Sequence, residues 1–280
     1  MKKILITLLA LVILGGCTDA RAQLKNKTPY YRVGKETLSD RDLYPFLIDT
    51  YGAQVVSSII NDYLYQKLTE GEEIDLYSNI TEDLKVWAEA YGLDYYAIFG
   101  YASEEDLINE MLEGARLEHI LKSYGNSNYE NIIQNYLPTK MAVAQFTDLE
   151  TAEKALKELK SGGDLADIAA KHTTTEIYDG NPLIFTTYSS LPYEVSSYAL
   201  YAEKADIVDT PIMASDGSLY LVEVISVDRV ADQEEIIQEL IHEEHYASEA
   251  ILYYCRLYDV KYYDKTIIDI MIRDAIEYYP

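Results

Sequence analysis

Basic residues, cysteines and long apolar segments are scarce in this chain of 280 residues. Lysine and arginine total 23 against 48 aspartates and glutamates, which gives a formal net charge of −25. Because nucleic-acid binding needs a basic face that neutralises phosphates, this balance argues against a nucleic-acid partner. Beyond the first residues, no segment is long and apolar enough to span a membrane. With only two cysteines, the sequence predicts no framework of disulfides.

Motifs of cofactor-dependent and hydrolytic enzymes are also missing. The sequence has no glycine loop of the kind that binds phosphate, and no Gly-x-Ser-x-Gly elbow. His242 and His245 lie at positions i and i+3, whereas the zinc motif of metalloproteases needs i and i+4. We therefore predict no cofactor and no metal site.

The amino terminus is organised like the leader of a bacterial lipoprotein. A basic start is followed by an apolar run and then by Leu14-Gly15-Gly16-Cys17, which is similar to a lipobox. We expect that residues 1–16 are removed, that Cys17 is acylated, and that residues 17–29 tether the protein to a lipid bilayer outside the cytoplasm. The alternative is an ordinary cleaved signal peptide with an incidental cysteine.

Tyrosine is the aromatic residue that this chain uses most. There are 28 tyrosines against four phenylalanines and one tryptophan. A tyrosine combines a large apolar ring with a polar tip, which suits adaptable binding surfaces. A codon bias of the whole genome is an equally good explanation, and composition alone does not separate the two.

Changes of pattern along the chain predict an α+β fold with three regions. Apolar residues recur at helical spacing in residues 30–136 and again in residues 231–280. Residues 138–229 instead have the order strand, helix, helix, helix, strand, which is typical of a small α+β sandwich.

Turn and cap signals predict where individual elements begin and end. Residues 30–37 are β-prone, and the helix that follows them is expected to break near Gly52. A helix over residues 103–124 is expected to end at Gly125, and residues 173–190 are predicted to form a loop. Further helices are expected at about 81–91, 148–160, 164–172, 192–202, 233–250 and 265–278, and strands at 141–146 and 219–227.

Two stretches carry a resemblance to a known family. The segment Val33-Gly34-Lys35-Glu36-Thr37-Leu38-Ser39, followed by Ile59-Ile60-Asn61-Asp62-Tyr63-Leu64, resembles the N-terminal helices of parvulin-type extracytoplasmic foldases of the PrsA/SurA type. The segment from Thr151 to Ala169, which contains Ser161-Gly162-Gly163-Asp164-Leu165-Ala166, is similar to the helices of the parvulin domain. The resemblance implies one chaperone lobe built from the N- and C-terminal helices, with a parvulin-like domain inserted between them.

The same resemblance identifies the positions of a parvulin active site in this chain. Val143 and Tyr220 stand where the family has histidines, and Asn181 stands where it has an acidic or thiol residue. Tyr220 and Asn181 are therefore degenerate catalytic positions, although Tyr220 can still donate a hydrogen bond. The residues expected to hold a proline ring are Phe185, Leu191, Tyr193 and Tyr198.

The resemblance implies a membrane-anchored chaperone that captures unfolded or partly folded secreted proteins, with a parvulin-like domain of weak or absent activity. Two alternatives stay open. One is an active peptidyl-prolyl cis-trans isomerase, and the other is a surface lipoprotein that binds a folded envelope partner.

Overall fold

The structure is a computed structural model that describes residues 29–70, 75–92, 94–172 and 178–280. Cys17, the predicted lipidation site, lies outside the described residues. The chain divides into two compact units. The terminal unit comprises the residues up to Lys67 together with Leu252–Pro280, and the central unit is Leu68–Ile251. Within the described ranges, no helix has the length and apolar character that crossing a membrane requires.

Eleven α-helices and seven strands occur in the described residues. The helices are α1 Asp40–Leu68, α2 Leu76–Tyr91, α3 Tyr95–Ile98, α4 Glu104–Ser127, α5 Tyr129–Tyr136, α6 Leu149–Lys160, α7 Leu165–His172, α8 Tyr193–Leu200, α9 Gln233–Leu240, α10 Glu244–Leu257 and α11 Lys265–Asp274. The strands are β1 Pro29–Val33, β2 Glu36–Ser39, β3 Thr139–Phe146, β4 Asp179–Phe185, β5 Asp206–Ile207, β6 Ile212–Met213 and β7 Leu219–Ser226. The predicted α+β fold class is confirmed.

An antiparallel sheet forms the centre of the central unit. Its strand order is β4-β3-β7-β5, and β6 also pairs with β7. The long central strands are apolar on both faces, as expected of strands that are covered on both sides. Val143 on β3 lies opposite Val222 on β7, and Gln145 lies opposite Tyr220. This register places Val143, Gln145, Val222 and Tyr220 on one face of the sheet, because side chains alternate along a strand.

Helices α6 and α7 cover part of this sheet and begin at recognisable signals. The Asp148 side chain accepts a hydrogen bond from the Thr151 N–H, which caps the start of α6. The apolar residues of α6 recur on one side and include Leu156 and Leu159, which belong to the core of the central unit. The backbone at the start of α7 approaches β4 so closely that a Cβ at Gly180 would lie 2.6 Å from the Leu165 carbonyl oxygen.

The helices of the central unit enclose a second core and a group of buried tyrosines. Side chains of α2, α3 and α4 pack together, among them Leu84, Tyr95 and Leu107. Further along the chain, Tyr124 and Tyr136 each donate a hydrogen bond of 2.8 Å to a different carboxylate oxygen of Glu249. Burial and the Glu249 carboxylate raise the pKa of Tyr136 far above its ordinary value, so this hydroxyl stays protonated.

The terminal unit is organised around helix α1. The Arg273 guanidinium on α11 contacts the Asp49 carboxylate at 2.8 Å, and the Tyr278 hydroxyl donates a hydrogen bond to the Asn61 side chain at 3.1 Å. Cys255 is fully buried in this unit. Burial raises the pKa of its thiol to about 12, so the thiol is protonated and unreactive at neutral pH.

Several of the predicted boundaries are wrong. The single helix expected at 233–250 is two helices, α9 and α10, which are separated by residues 241–243. Three further differences involve glycines and a strand. Helix α1 continues through Gly52, which is buried beside Ile270; a Cβ there would make an ordinary contact of 3.6 Å with that residue. Helix α4 likewise continues past Gly125. The predicted loop 173–190 contains β4, because pairing with β3 outweighs the turn character of its sequence.

Gly125 and Gly114 lie in the same helix and provide a matched test of packing. A Cβ at Gly125 would lie 2.6 Å from the Tyr246 hydroxyl oxygen, which is itself fixed by a hydrogen bond to the Leu121 carbonyl. A Cβ at Gly114 meets nothing within 4 Å. We expect Gly125→Ala to lower the free energy of unfolding by about 2 kcal/mol through overpacking. Gly114→Ala should raise it by about 0.5–1 kcal/mol through helix propensity.

Urea denaturation followed by circular dichroism measures both effects. Equal shifts of the two variants would contradict the close packing of α4 at Gly125.

Candidate functional site

The three positions that the resemblance assigns to a parvulin-like site lie on the three neighbouring strands β4, β3 and β7. Val143 on β3 is buried, with an exposed fraction of 2%. The register between β3 and β4 shifts at this point, so that Gly180 and Asn181 together oppose Val143 in a β-bulge. On the other side of β3, Val222 pairs with Val143, and Tyr220 follows two residues earlier on the same face.

Tyr220 is the most buried polar residue of this group. It is 3% exposed and lies between Gln145 on β3 and Ile212 on β6. Burial raises the pKa of its hydroxyl above the ordinary value, while a hydrogen bond from Ser218 acts in the opposite direction. The hydroxyl is therefore protonated at neutral pH and can serve as a neutral hydrogen-bond donor.

Tyr178 packs against Tyr220, which the sequence analysis does not anticipate. The two rings make an edge-to-face contact, with centroids 5.7 Å apart and planes at 79°. The Tyr178 carbonyl accepts a hydrogen bond from the Gln145 N–H, so Tyr178, Gln145 and Tyr220 form one row across the sheet. The Tyr178 hydroxyl donates to the Ser190 carbonyl, in the segment that leads into α8. A sequence signal was absent because Tyr178 lies in a stretch whose composition predicts a loop.

Two further polar residues complete the surroundings of Tyr220. The Gln145 side-chain amide donates a hydrogen bond of 3.0 Å to the Ser218 hydroxyl. The Ser218 hydroxyl is also one of the groups that shift the pKa of Tyr220, so it lies near that side chain. The groups around Tyr220 are thus neutral and polar or aromatic, with no nucleophilic thiol and no histidine among the described ones.

Asn181, the second degenerate catalytic position, is solvent-exposed and is engaged with its own neighbour. Its N–H donates to one Asp179 carboxylate oxygen at 3.0 Å, and its side-chain amide donates to the other at 2.6 Å. This arrangement is a local turn motif. The side-chain amide of Asn181 is therefore already committed to Asp179.

The four residues expected to hold a proline ring differ widely in their surroundings. Phe185 is buried at the end of β4, where it pairs with Thr139. Leu191 is half-buried, and Tyr193 is 80% exposed at the start of α8. Tyr198 is half-buried and packs against the core of the central unit. Their roles in holding a proline ring stay predictions.

A cleft of about 480 Å³ opens beside α8. We call it the α8 cleft; its lining residues are Tyr198, Tyr201, Ala202, Glu203, Lys204, Asp206 and Val224. Of the residues that the sequence assigns to the parvulin-like site, Tyr198 alone is among the lining residues of the α8 cleft. Two tyrosines and two carboxylates thus line this cleft of the central unit.

Metal-binding geometry is absent from the described ranges, where no three histidine, cysteine or acidic side chains form a group suited to an ion. His242 and His245 are both exposed, and the His245 ring stacks on Tyr188 with a centroid distance of 4.4 Å. His172 contacts the Glu158 carboxylate at 3.2 Å.

No family model matches the chain. Among the solved structures, it is similar to the peptidylprolyl isomerase PrsA of Bacillus cereus, with 17% identity, a TM-score of 0.46 and coverage of 89% of this chain and 99% of the other. The foldase protein PrsA of Streptococcus pneumoniae gives 16% identity, a TM-score of 0.42 and coverage of 87% and 98%. Among curated proteins, the Foldase protein PrsA of Halalkalibacterium halodurans is 23% identical over 262 residues, which are 84% of this chain and 75% of that relative. This relative confirms the resemblance to PrsA-type foldases that the sequence predicts.

Proposed function

We propose that this chain is an extracytoplasmic foldase or chaperone that is anchored to the membrane through acylated Cys17 and assists the folding of secreted proteins. The curated relative, which bears the name of a foldase, supports this function. The anchor rests on the leader sequence and on its lipobox-like ending. In this proposal the N- and C-terminal helices form the chaperone lobe, and the parvulin-like region 138–229 is inserted between them.

The observation that carries the proposal is a row of exposed apolar side chains on α1. We call it the α1 apolar row; its members are Leu47, Tyr51, Val55, Ile59 and Tyr63. Each member follows the previous one by four residues, so consecutive members are neighbours in a continuous row that winds gradually around the helix. Their exposed fractions lie between 42% and 64%. Contiguous apolar side chains of this kind on a protein surface mark a binding site.

The α1 apolar row lies beside the face by which α1 packs into its own unit. The residues that follow each member of the row by one position include Gly52, Ile60 and Leu64, all of which are buried. The residues that precede the members by one position include the polar Thr50 and Gln54. At the end of the row, Tyr63 makes an edge-to-face contact with Tyr258 of the same unit, with ring centroids 6.3 Å apart. The exposed Val55 and Ile59 lie outside the buried face of α1, so their apolar side chains are available to a partner.

An unfolded chain is the partner that such a row fits. Unfolded segments expose apolar side chains that a folded protein buries, and they adapt to an extended row without a matching shape. The acidic charge of the chaperone keeps it soluble despite the exposed row. Folding of the client withdraws its apolar side chains, which weakens binding and releases the client.

The second candidate function is prolyl isomerisation, and the protonated Tyr220 is the observation that favours it. Catalysis of this rotation requires groups that stabilise a twisted amide, and a neutral hydroxyl in a dry site can contribute. However, the Tyr178 ring and the Ser218 hydroxyl already occupy the surroundings of Tyr220. We therefore propose that the parvulin-like unit is weakly active or inactive.

The double variant Val55→Ser, Ile59→Ser tests the α1 apolar row. Serine, valine and isoleucine have similar helix propensities, so α1 should remain folded. Losing two apolar contacts should weaken binding of an unfolded client by at least about tenfold and reduce the suppression of its aggregation. Light scattering of a chemically denatured client, diluted into residues 18–280 of the chain, measures the effect.

The matched control is Thr50→Ser, Gln54→Ser on the neighbouring polar side of the same helix. It should suppress aggregation as well as the unmodified chain does. Equal losses in both double variants, or no activity in the unmodified chain, would contradict the proposal.

A protease-coupled assay on a proline peptide tests the second candidate function. Because uncatalysed rotation takes tens of seconds, even a modest acceleration is measurable. We expect the chain and its Tyr220→Phe variant to show the same rate, within about twofold of the spontaneous one. Clear catalysis that Tyr220→Phe removes would show instead that Tyr220 acts in a working isomerase site.

A further inference from the structure

The α8 cleft combines aromatic walls with acidic groups. Its floor includes Val224, which is buried in the sheet. Tyr198 is held in place by packing against the core, whereas Tyr201 projects into solvent with 83% of its surface exposed. An exposed tyrosine beside a fixed one offers two ring faces to a ligand.

The carboxylates in and near the cleft differ in the ion pairs that they form. Glu203 forms no ion pair with any residue that the structure describes. Asp206 contacts the ammonium group of Lys204 at 3.3 Å. Just outside the cleft, Asp209 contacts Lys160 at 3.4 Å. The charges of Asp206 and Asp209 also raise the pKa of Tyr198, after the larger effect of burial, which shows that both carboxylates lie within electrostatic reach of that ring.

The Lys204 ion pair shows which kind of group the cleft accepts. The side chain of Lys204 is 78% exposed and that of Asp206 is 53% exposed, so the pair is solvated and easily exchanged. A cation from another chain can replace the Lys204 ammonium on Asp206, and Glu203 lines the same cleft. The tyrosine faces attract a cation as well, through the negative potential of their rings.

We propose that the α8 cleft binds an arginine side chain of an unfolded client segment. A guanidinium is planar, stacks on aromatic rings and donates hydrogen bonds to carboxylates in pairs, so it matches the two tyrosines and two carboxylates better than an ammonium does. This inference rests on the proposed chaperone function and names the class of segment that the protein prefers. Lys204 acts as an internal competitor that pairs with Asp206 when no client is bound.

Fluorescence anisotropy of short peptides with residues 18–280 of the chain tests the inference. The probes are three unstructured glycine- and serine-rich peptides that carry three arginines, three lysines or three glutamates. We expect the arginine peptide to bind most tightly and the glutamate peptide not to bind. Binding of the arginine peptide should weaken in high salt, because the pairing groups are exposed.

Substitutions in the cleft should act in opposite directions. Glu203→Gln with Asp206→Asn should weaken binding of the arginine peptide about fivefold, since two exposed ion pairs are lost. Tyr201→Ala should weaken it about threefold, whereas Tyr201→Phe, which keeps the ring face, should not. Lys204→Gln should strengthen binding by removing the competitor. Glu153→Gln is the matched control, because Glu153 is exposed on α6 and its loss changes only the overall charge.

The outcomes separate this inference from the proposed function. Equal binding of the arginine and glutamate peptides, or the same affinity in the cleft variants as in Glu153→Gln, would overturn the arginine site. The arginine site can fail while the unmodified chain still prevents aggregation of an uncharged apolar client. The chaperone proposal then stands without an arginine site. A chain that binds no peptide and prevents no aggregation would overturn both.

Discussion

The pairing of β3 with β7 is the interaction on which the central unit depends. The two strands are buried on both faces, and their register sets which side chains share a face. If β7 slipped by one residue against β3, Tyr220 and Val143 would lie on opposite faces of the sheet. The same pairing also holds β4 and the short strands at the edges, because β4 pairs only with β3, whereas β5 and β6 pair with β7. The candidate site is thus a consequence of one register.

Client capture in the terminal unit has a different requirement, which is that the apolar side chains of α1 stay exposed to water. In the terminal unit, α1 buries one row of side chains and leaves the neighbouring apolar row exposed. The excess of 48 acidic over 23 basic residues opposes self-association of such surfaces. If the α8 cleft selects arginine, the same acidic character contributes to the choice of clients. Apolar capture and charge selection then use separate surfaces.

Signals that lie within a few residues of one another predicted the structure well. The cap at Asp148 and the end of α6 near Gly162 follow directly from the sequence. Distant residues are near both glycines where a helix was expected to end, since Ile270 lies beside Gly52 and Tyr246 packs at Gly125. In the site, the sequence placed Tyr220 on a strand, which the structure confirms as β7, but the Tyr178 ring against it required the fold. The register that brings these two residues together is not encoded in any short motif.

Photo-crosslinking tests the central claim most directly. A photoreactive phenylalanine derivative is placed either at position 55, within the α1 apolar row, or at position 54, on the adjacent polar side of α1, about 100° away around the helix. Unfolded client is then added and irradiated, with the same client in its folded form as a comparison. The account predicts strong crosslinks from position 55 to the unfolded client and few from position 54 or to the folded form. Equal crosslinking from both positions, or a preference for the folded client, would contradict it.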